Sequence, residues 1–81
     1  MNRIKEYAYD KEADAIYITF SDEPVASTKA LDDLRVIDYS TDGFPVGIEL
    51  LCVSECVISD DLPYLKDVLH LLEGNQVKIF T

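Results

Sequence analysis

The spacing of hydrophobic residues changes along this chain after Ser59. Before Ser59, hydrophobic and polar residues largely alternate, which is the period of a β-strand with one buried face. After it, hydrophobic residues recur every three or four positions, at Leu62, Leu65, Val68, Leu69 and Leu72. That spacing lines one face of an α-helix. The sequence therefore predicts a β-rich part followed by a helix.

Two pairs of strands are predicted to form hairpins. Tyr7–Tyr9 and Ala15–Phe20 flank a polar turn, and both are rich in aromatic or β-branched residues. Leu34–Tyr39 and Phe44–Cys52 flank an Asp-Gly pair at 42–43, and glycine accepts the positive φ that a tight turn needs. Each pair is expected to be antiparallel.

Weaker patterns predict further elements at the edges. Val25–Leu31 is expected to be a short edge strand, and Gln76–Phe80 a final edge strand. Gly47 lies inside a predicted strand, where glycine marks a bulge or a close approach of the backbone.

The helix carries its own end signals. Asp60 or Asp61 is expected to cap its N-terminus, Pro63 fits its first turn, and Gly74 stands where a C-cap glycine belongs. Leu65 is expected to be buried, so Leu65→Asp is expected to unfold the protein.

These elements predict the α+β fold class, with a small antiparallel β-sheet (a meander of hairpins) packed against one C-terminal α-helix. A sheet with one hydrophobic face needs a cover, and the amphipathic helix is the available one. At 81 residues, the chain is expected to form one domain spanning residues 1–81.

Charge narrows the classes of partner. Sixteen acidic and seven basic residues give a net charge of −9, which disfavours direct binding to nucleic acid because phosphates repel an acidic surface. No apolar run approaches the roughly 20 residues that span a bilayer, so no membrane association is expected. The first residues lack the apolar stretch of a secretory signal, so a cytoplasmic protein is expected.

Several segments resemble one known family. The run Tyr9–Phe20 resembles the opening signature of the domain of unknown function 2283 family (DUF2283). Later segments resemble that family in the same order, at Leu31–Asp33, Val36–Tyr39, Asp42-Gly43 and Val46–Leu50. The resemblance covers about residues 5–54 and implies a small protein of the kind found mostly in bacteria and archaea. The family has no assigned activity, so the resemblance implies no catalytic residue.

Three alternating carboxylates form one candidate metal site. Asp10, Glu12 and Asp14 are spaced like the first ligands of a calcium loop. The loop pattern then ends, because Ala15 and Ser21 stand where glycine and a bidentate glutamate are needed. The alternative is a hairpin turn whose short polar side chains bond their own backbone, and this alternative is favoured.

Asp38 and Glu49 are the other candidate site residues. They lie on strands predicted to pair, so one of them is expected to approach Arg35 or a tyrosine hydroxyl. Paired carboxylates serve acid–base hydrolysis. In an acidic protein they more often belong to a solvated sheet face, and that interpretation is favoured.

The remaining reactive side chains indicate no cofactor. Cys52 and Cys56 are separated by three residues, which is not the C-x-x-C spacing of redox and zinc motifs. They are expected to be reduced thiols, with at least one packed as a small hydrophobic residue. His70 is expected to lie on the surface of the helix.

Three hypotheses for function follow. The leading one is a non-enzymatic protein-interaction module, in one form the acidic partner of a basic, toxin-like protein, bound by charge steering and strand addition. The alternative is a small metal-dependent hydrolase that uses a carboxylate cluster of Asp10, Asp14, Asp38 and Glu49. The third is self-association into a dimer through an open sheet edge or a tyrosine face.

Overall fold

A computed structural model describes residues 2–80 of the protein. Its strands and its helix, in chain order, are β1 (Glu6–Asp10), β2 (Ala15–Thr19), β3 (Ser27–Asp32), β4 (Arg35–Tyr39), β5 (Pro45–Leu51), β6 (Val57–Ile58), α1 (Leu65–Gly74) and β7 (Ile79–Phe80). The predicted α+β class is confirmed. Within residues 2–80, no helix is long and apolar enough to cross a membrane.

The five longer strands form one antiparallel sheet in the order β1-β2-β5-β4-β3. The predicted hairpins β1–β2 and β4–β5 are present, and β3 is an edge strand, as predicted from the segment 25–31. The sheet is not a simple meander, however, because β5 is inserted between β2 and β4. β5 takes the central place because it carries the longest run of buried residues, at Val46, Gly47, Ile48 and Leu50.

The core lies between one face of this sheet, called the inner face, and the C-terminal part of the chain. Ile16 and Ile18 on β2 and Ile48 on β5 are completely buried. Val68 and Leu72 of α1 pack in the same hydrophobic cluster and are also completely buried. These two residues lie four apart and therefore one above the other on the helix.

The helix begins later than its sequence signals predict. Its N-cap is Tyr64, which has left-handed backbone angles and makes no side-chain capping bond. Asp60, Asp61 and Pro63 precede the helix, so their predicted capping roles are wrong. The physical reason is that Leu62, which lies among them, is buried in the core while still in the loop, so tertiary packing overrides the local signals.

The C-terminal end of the helix differs in the same way. Gly74 is the last helical residue, and the C-cap is Asn75. The left-handed residue is Gln76, with φ of 61°, so the predicted C-cap role of Gly74 is wrong. The backbone amide of Val77 donates to the carbonyl of Leu72 at 2.9 Å, which closes the helix end and turns the chain back toward the core.

The final strand does not join the large sheet. β7 pairs with β6 in a separate two-stranded parallel sheet, with Val57 opposite Ile79 and Ile58 opposite Phe80. Parallel neighbours need a crossover connection, and α1 provides it. The chain segments before and after the helix are therefore held together by the pairing of β6 with β7.

Leu65 is not part of the buried stripe. Its side chain is 40% exposed, so the expectation that it is buried is wrong. Helical side chains tilt toward the N-terminus of their helix. Leu65 is the first helical residue, so its side chain projects beyond the end of the helix and not onto the sheet.

The two helix positions give a matched test of this packing. Val68→Asp places a carboxylate without a partner in the core, and we expect it to abolish cooperative unfolding near the parent temperature. Leu65→Asp places the same group on the surface near a helix N-terminus, and we expect a change within about 0.5 kcal/mol. Thermal melts of both variants by circular dichroism check this. Equal melting temperatures for the two variants would contradict the placement of the helix.

Candidate functional site

The face of the sheet turned away from the core, called here the outer face, carries two of the candidate carboxylates. The strand register places its residues in two rows that cross the sheet: Ala8, Tyr17, Glu49, Val36 and Ala30, and beside them Glu6, Thr19, Gly47, Asp38 and Thr28. Ala8, Glu49, Ala30, Glu6 and Thr28 are exposed. Five strands therefore present a solvated face that bears three carboxylates.

A hydrogen-bond network crosses this face above β5. The Tyr17 hydroxyl donates to one carboxylate oxygen of Asp38 at 2.7 Å. The Thr28 hydroxyl donates to the other oxygen of Asp38, also at 2.7 Å. Asp38 thus links β2 and β3 across the sheet by accepting from both. The prediction that a candidate carboxylate reaches a tyrosine hydroxyl is confirmed by this geometry.

Gly47 makes the network possible. It lies on β5 between the strands of Tyr17 and Asp38, and the tyrosine ring crosses directly over it. A Cβ atom on Gly47 would stand 2.5 Å from the Tyr17 hydroxyl oxygen and 2.9 Å from the carbonyl oxygen of Ile18. The bulge in β5 at Val46, where the register with β4 shifts, directly precedes this close approach.

The environment of Tyr17 disfavours its ionisation. Burial, the hydrogen bond to Asp38 and the negative charges of Asp38 and Glu49 together raise the pKa of Tyr17 from 10.0 to about 12. The hydroxyl therefore stays protonated as a donor at neutral pH. The network holds Asp38 in place, and Glu49 remains exposed beside it.

Arg35 lies on the other side of the sheet. It stands opposite Leu50 in the inner row, so neither Asp38 nor Glu49 approaches it. Its Nε donates to the carboxylate of Asp32 at 2.9 Å. The amide of Leu34 and the guanidinium of Arg35 lower the pKa of Asp32. This pair was not predicted from the sequence, although Asp32 and Arg35 are three residues apart across a turn.

Arg35 also connects the large sheet to the C-terminal part of the chain. Its Nη1 donates to the carbonyl of Ile58 at 3.0 Å and to the carbonyl of Asp60. The arginine is 9% exposed, and these charge-assisted bonds satisfy it in place of water. The carbonyl partners lie 23 and 25 residues away in sequence, and no sequence pattern marks them.

The acidic turn between β1 and β2 uses its carboxylates within the fold. Asp10 accepts from the amide of Ala13 at 3.0 Å. Asp14, whose φ is 56°, accepts from the amide of Ser54 at 2.9 Å and from its hydroxyl at 2.7 Å. The Asp10 bond fits the favoured alternative, a turn whose polar side chains bond their own backbone. Asp14 differs from it, because Ser54 lies 40 residues away and outside the turn. Glu12 is exposed.

Metal ligands are not gathered in the described part of the chain. Among residues 2–80, no group of three or more His, Cys, Asp or Glu side chains could hold a metal ion. Cation binding by Asp10, Glu12 and Asp14 stays a prediction. Asp38 and Glu49 share the outer face, while Asp10 and Asp14 lie in the turn at the end of β1.

The thiols and the histidine lie outside these clusters. Cys52 and Cys56 are both partly buried and form no disulfide within residues 2–80. His70 is exposed on α1. It borders an open groove of about 570 Å³ between the N-terminal segment and the helix, with Ile4, Asp67 and Leu71 among its other lining residues.

A second, smaller cavity lies near the β3–β4 turn. Its volume is about 240 Å³, and its lining is mostly apolar, with Leu34, Leu51 and Cys56 among the residues that form it. Neither cavity is lined by the acids proposed for a hydrolase, namely Asp10, Asp14, Asp38 and Glu49.

Two glycines give a matched test of the close approach on the outer face. Gly47→Ala forces the Tyr17 ring and the β2 backbone to shift, so we expect a loss of about 1–3 kcal/mol in the free energy of unfolding. Gly74→Ala is the control, because none of the described atoms stands within 4 Å of its added Cβ, and it should be neutral or stabilising by up to about 1 kcal/mol. Urea titrations measure both. Equal stabilities would contradict the packing of Tyr17 over Gly47.

The raised pKa of Tyr17 predicts a pH dependence with a definite sign. Because the folded pKa of about 12 exceeds the ordinary value of 10.0, the stabilising contribution is fully present below pH 10 and is lost as the pH rises through 12. Ultraviolet titration of tyrosinate should show a step near pH 12. Tyr17→Phe should remove that step and reduce the alkaline loss of stability. A titration without a step near pH 12, or with such a step that persists in Tyr17→Phe, would contradict the network.

Comparison with known proteins identifies the larger sheet as a family unit. A family described as "Protein of unknown function (DUF2283)" matches residues 6–54, a span that holds β1 to β5 and ends before β6. No curated protein and no solved structure matches the chain significantly. The match confirms the resemblance in the sequence and covers more than half of the chain, which therefore belongs to the DUF2283 family.

Proposed function

We propose that this protein is an interaction module that binds a basic partner protein by adding a strand at the β3 edge of its sheet. The observation that carries the proposal is the open edge itself. β3 is the last strand of the five-stranded sheet, and every residue of β3 except Leu31 is exposed. An exposed edge of this kind is a template for an extended segment of another chain.

The hydrogen-bond pattern identifies which groups of β3 are available. The amide of Leu51 donates to the carbonyl of Leu34, which fixes the direction of backbone groups at the start of β4. The N–H and C=O groups of successive residues in a strand point alternately to its two neighbours. Those of Leu34 point to β5, so those of Ile37, three residues later, point to β3, where Ile37 pairs with Lys29. Ala30 follows Lys29 and therefore directs its N–H and C=O away from the sheet.

Charge supports a basic partner. The edge ends in Asp32 and Asp33, and Asp38 lies on the neighbouring strand. Lys29 is the basic residue of β3, and the whole chain carries −9. Opposite charge accelerates encounter and favours correct pairing, whereas like charge opposes it. A second copy brings another −9, so a basic partner is favoured over a homodimer.

Ala30→Pro tests strand addition directly. Proline removes an outward donor at an edge, where it is tolerated, and no bond inside the sheet is lost. The probe is an extended peptide of about ten residues in which lysine alternates with valine. By fluorescence anisotropy, we expect Ala30→Pro to bind this peptide roughly threefold to tenfold more weakly than the parent, which corresponds to the loss of one hydrogen bond.

Several controls keep the test specific. Ala30→Val retains the amide and should bind like the parent, and a peptide with glutamate in place of lysine should bind far more weakly. A peptide N-methylated at every residue loses the donors of both its edges and should not bind, which tests the proposal even if Ala30→Pro misfolds. Equal binding of the glutamate and lysine peptides, or unchanged binding of the methylated peptide, would refute the proposal.

A further inference from the structure

The smaller cavity, called here the Cys56 cavity, lies between the β3–β4 turn and the segment that connects β5 to β6. Its apolar lining comes from Leu34, Leu50, Leu51, Cys56, Val57 and Ile58. Leu34 is 38% exposed and Ile58 is 36% exposed. Water therefore reaches apolar surface that a ligand could cover, and removing that surface from water favours binding.

Three charged side chains also line the Cys56 cavity, namely Asp32, Arg35 and Glu55. Arg35 is nearly buried, and its charge is compensated by Asp32 and by the carbonyls of Ile58 and Asp60. Glu55 is exposed at the cavity, and no salt bridge engages it among the described residues. The charged groups at the cavity are thus one guanidinium and two carboxylates, which together give it a net negative charge.

We propose that the Cys56 cavity binds a small organic cation, a primary ammonium attached to an apolar body of about eight to ten heavy atoms. The volume of about 240 Å³ lies just below the roughly 300–1,000 Å³ of sites for drug-sized ligands, so a molecule of this smaller size fits. The apolar body fills the space beside Leu34, Leu51 and Val57. The ammonium lies near Glu55, the cavity carboxylate that no salt bridge among the described residues engages. This site is separate from the β3 edge and does not depend on the proposed function.

Charge complementarity selects the cation over other small apolar molecules. A carboxylate ligand would meet Glu55 at the cavity, and the Arg35–Asp32 pair, whose charges compensate each other, offers little to offset that repulsion. A neutral ligand would gain the apolar contacts alone. Affinity should therefore fall from the ammonium to the alcohol to the carboxylate when the apolar body is the same.

The experiment uses three molecules that share one phenylpropyl body: 3-phenylpropylamine, 3-phenylpropan-1-ol and 4-phenylbutanoate. Each is titrated into the isotopically labelled full chain, and amide chemical shifts are followed by NMR. We expect the amine to bind with a Kd in the millimolar range or below, which is on the order expected for so small a ligand. The largest shifts should fall on Leu34, Cys56 and Val57. The carboxylate should bind at least roughly tenfold more weakly.

Variants separate cavity filling from charge. Cys56→Leu fills the cavity and should abolish binding, whereas Cys56→Ser leaves the space open and should retain it. Glu55→Gln should weaken the amine by roughly twofold to fivefold, as expected for a partly exposed ion pair. Glu73→Gln makes the same change of charge on α1, away from the cavity, and should have no effect.

The result that overturns the proposal is equally definite. Equal affinity for amine and carboxylate would refute the charge argument, and unchanged binding by Cys56→Leu would refute the location. Absence of shifts at Leu34, Cys56 and Val57 at saturating amine would refute the site altogether. Shifts that fall on exposed acids elsewhere to the same extent would show nonspecific attraction of a cation to a chain of charge −9 and would equally refute it.

Discussion

The inner faces of β2 and β5 have to be shielded from water, because they present Ile16, Ile18 and Ile48 side by side. Each of these residues is completely buried, as are Val68 and Leu72 of the helix that meets them. Burying such a side chain contributes on the order of 1.5–3 kcal/mol before conformational entropy is subtracted. The central position of β5, the packing of α1 and the pairing of β7 with β6 all help to bury the contact between the sheet and the helix.

Covering the inner face leaves the outer face free to be polar. There the sheet is stabilised by a tyrosine that lies over a glycine and donates to a carboxylate on the far side of β5. The same arrangement keeps Asp38 fixed and leaves Glu49 exposed beside it. The two faces differ in polarity, because none of the core residues on β2 and β5 is charged. A chain with sixteen acidic residues can therefore still form a hydrophobic core.

Much of this fold could be predicted from local signals in the sequence. The Asp-Gly pair predicted the β4–β5 turn, where Gly43 has φ of 84°, and Gly47 predicted a bulge or a close approach and is found beside both. Nonlocal features could not be predicted from the sequence. The insertion of β5 between β2 and β4 depends on which strand buries the most surface. A two-residue strand such as β6 is too short to show a periodic pattern. The predicted start of the helix was wrong because Leu62 packs into the core from a loop, and the capping residues carry no information about that packing.

The candidate site was predictable to a similar degree. Alternation predicted that Asp38 and Glu49 lie on strands that pair, with a tyrosine hydroxyl as one of two possible partners. The sequence does not identify Tyr17 as that partner, because the contact crosses an intervening strand. The Cys56 cavity could not be anticipated either, because its walls come from three separate parts of the chain: the β3–β4 turn with its flanking residues, the end of β5, and the segment 55–58. Such walls depend on how the C-terminal part docks, which is a tertiary property.

The parallel pairing of β6 with β7 makes the segment between them a closed loop, with the helix inside it and the side chain of Arg35 bonded to the carbonyls of Ile58 and Asp60 near its base. A helix held at only one end could fray away gradually. Here α1 can leave the sheet only if β6 and β7 separate or leave together with it. Amide exchange in α1 is therefore expected to be coupled to exchange in β6 and β7.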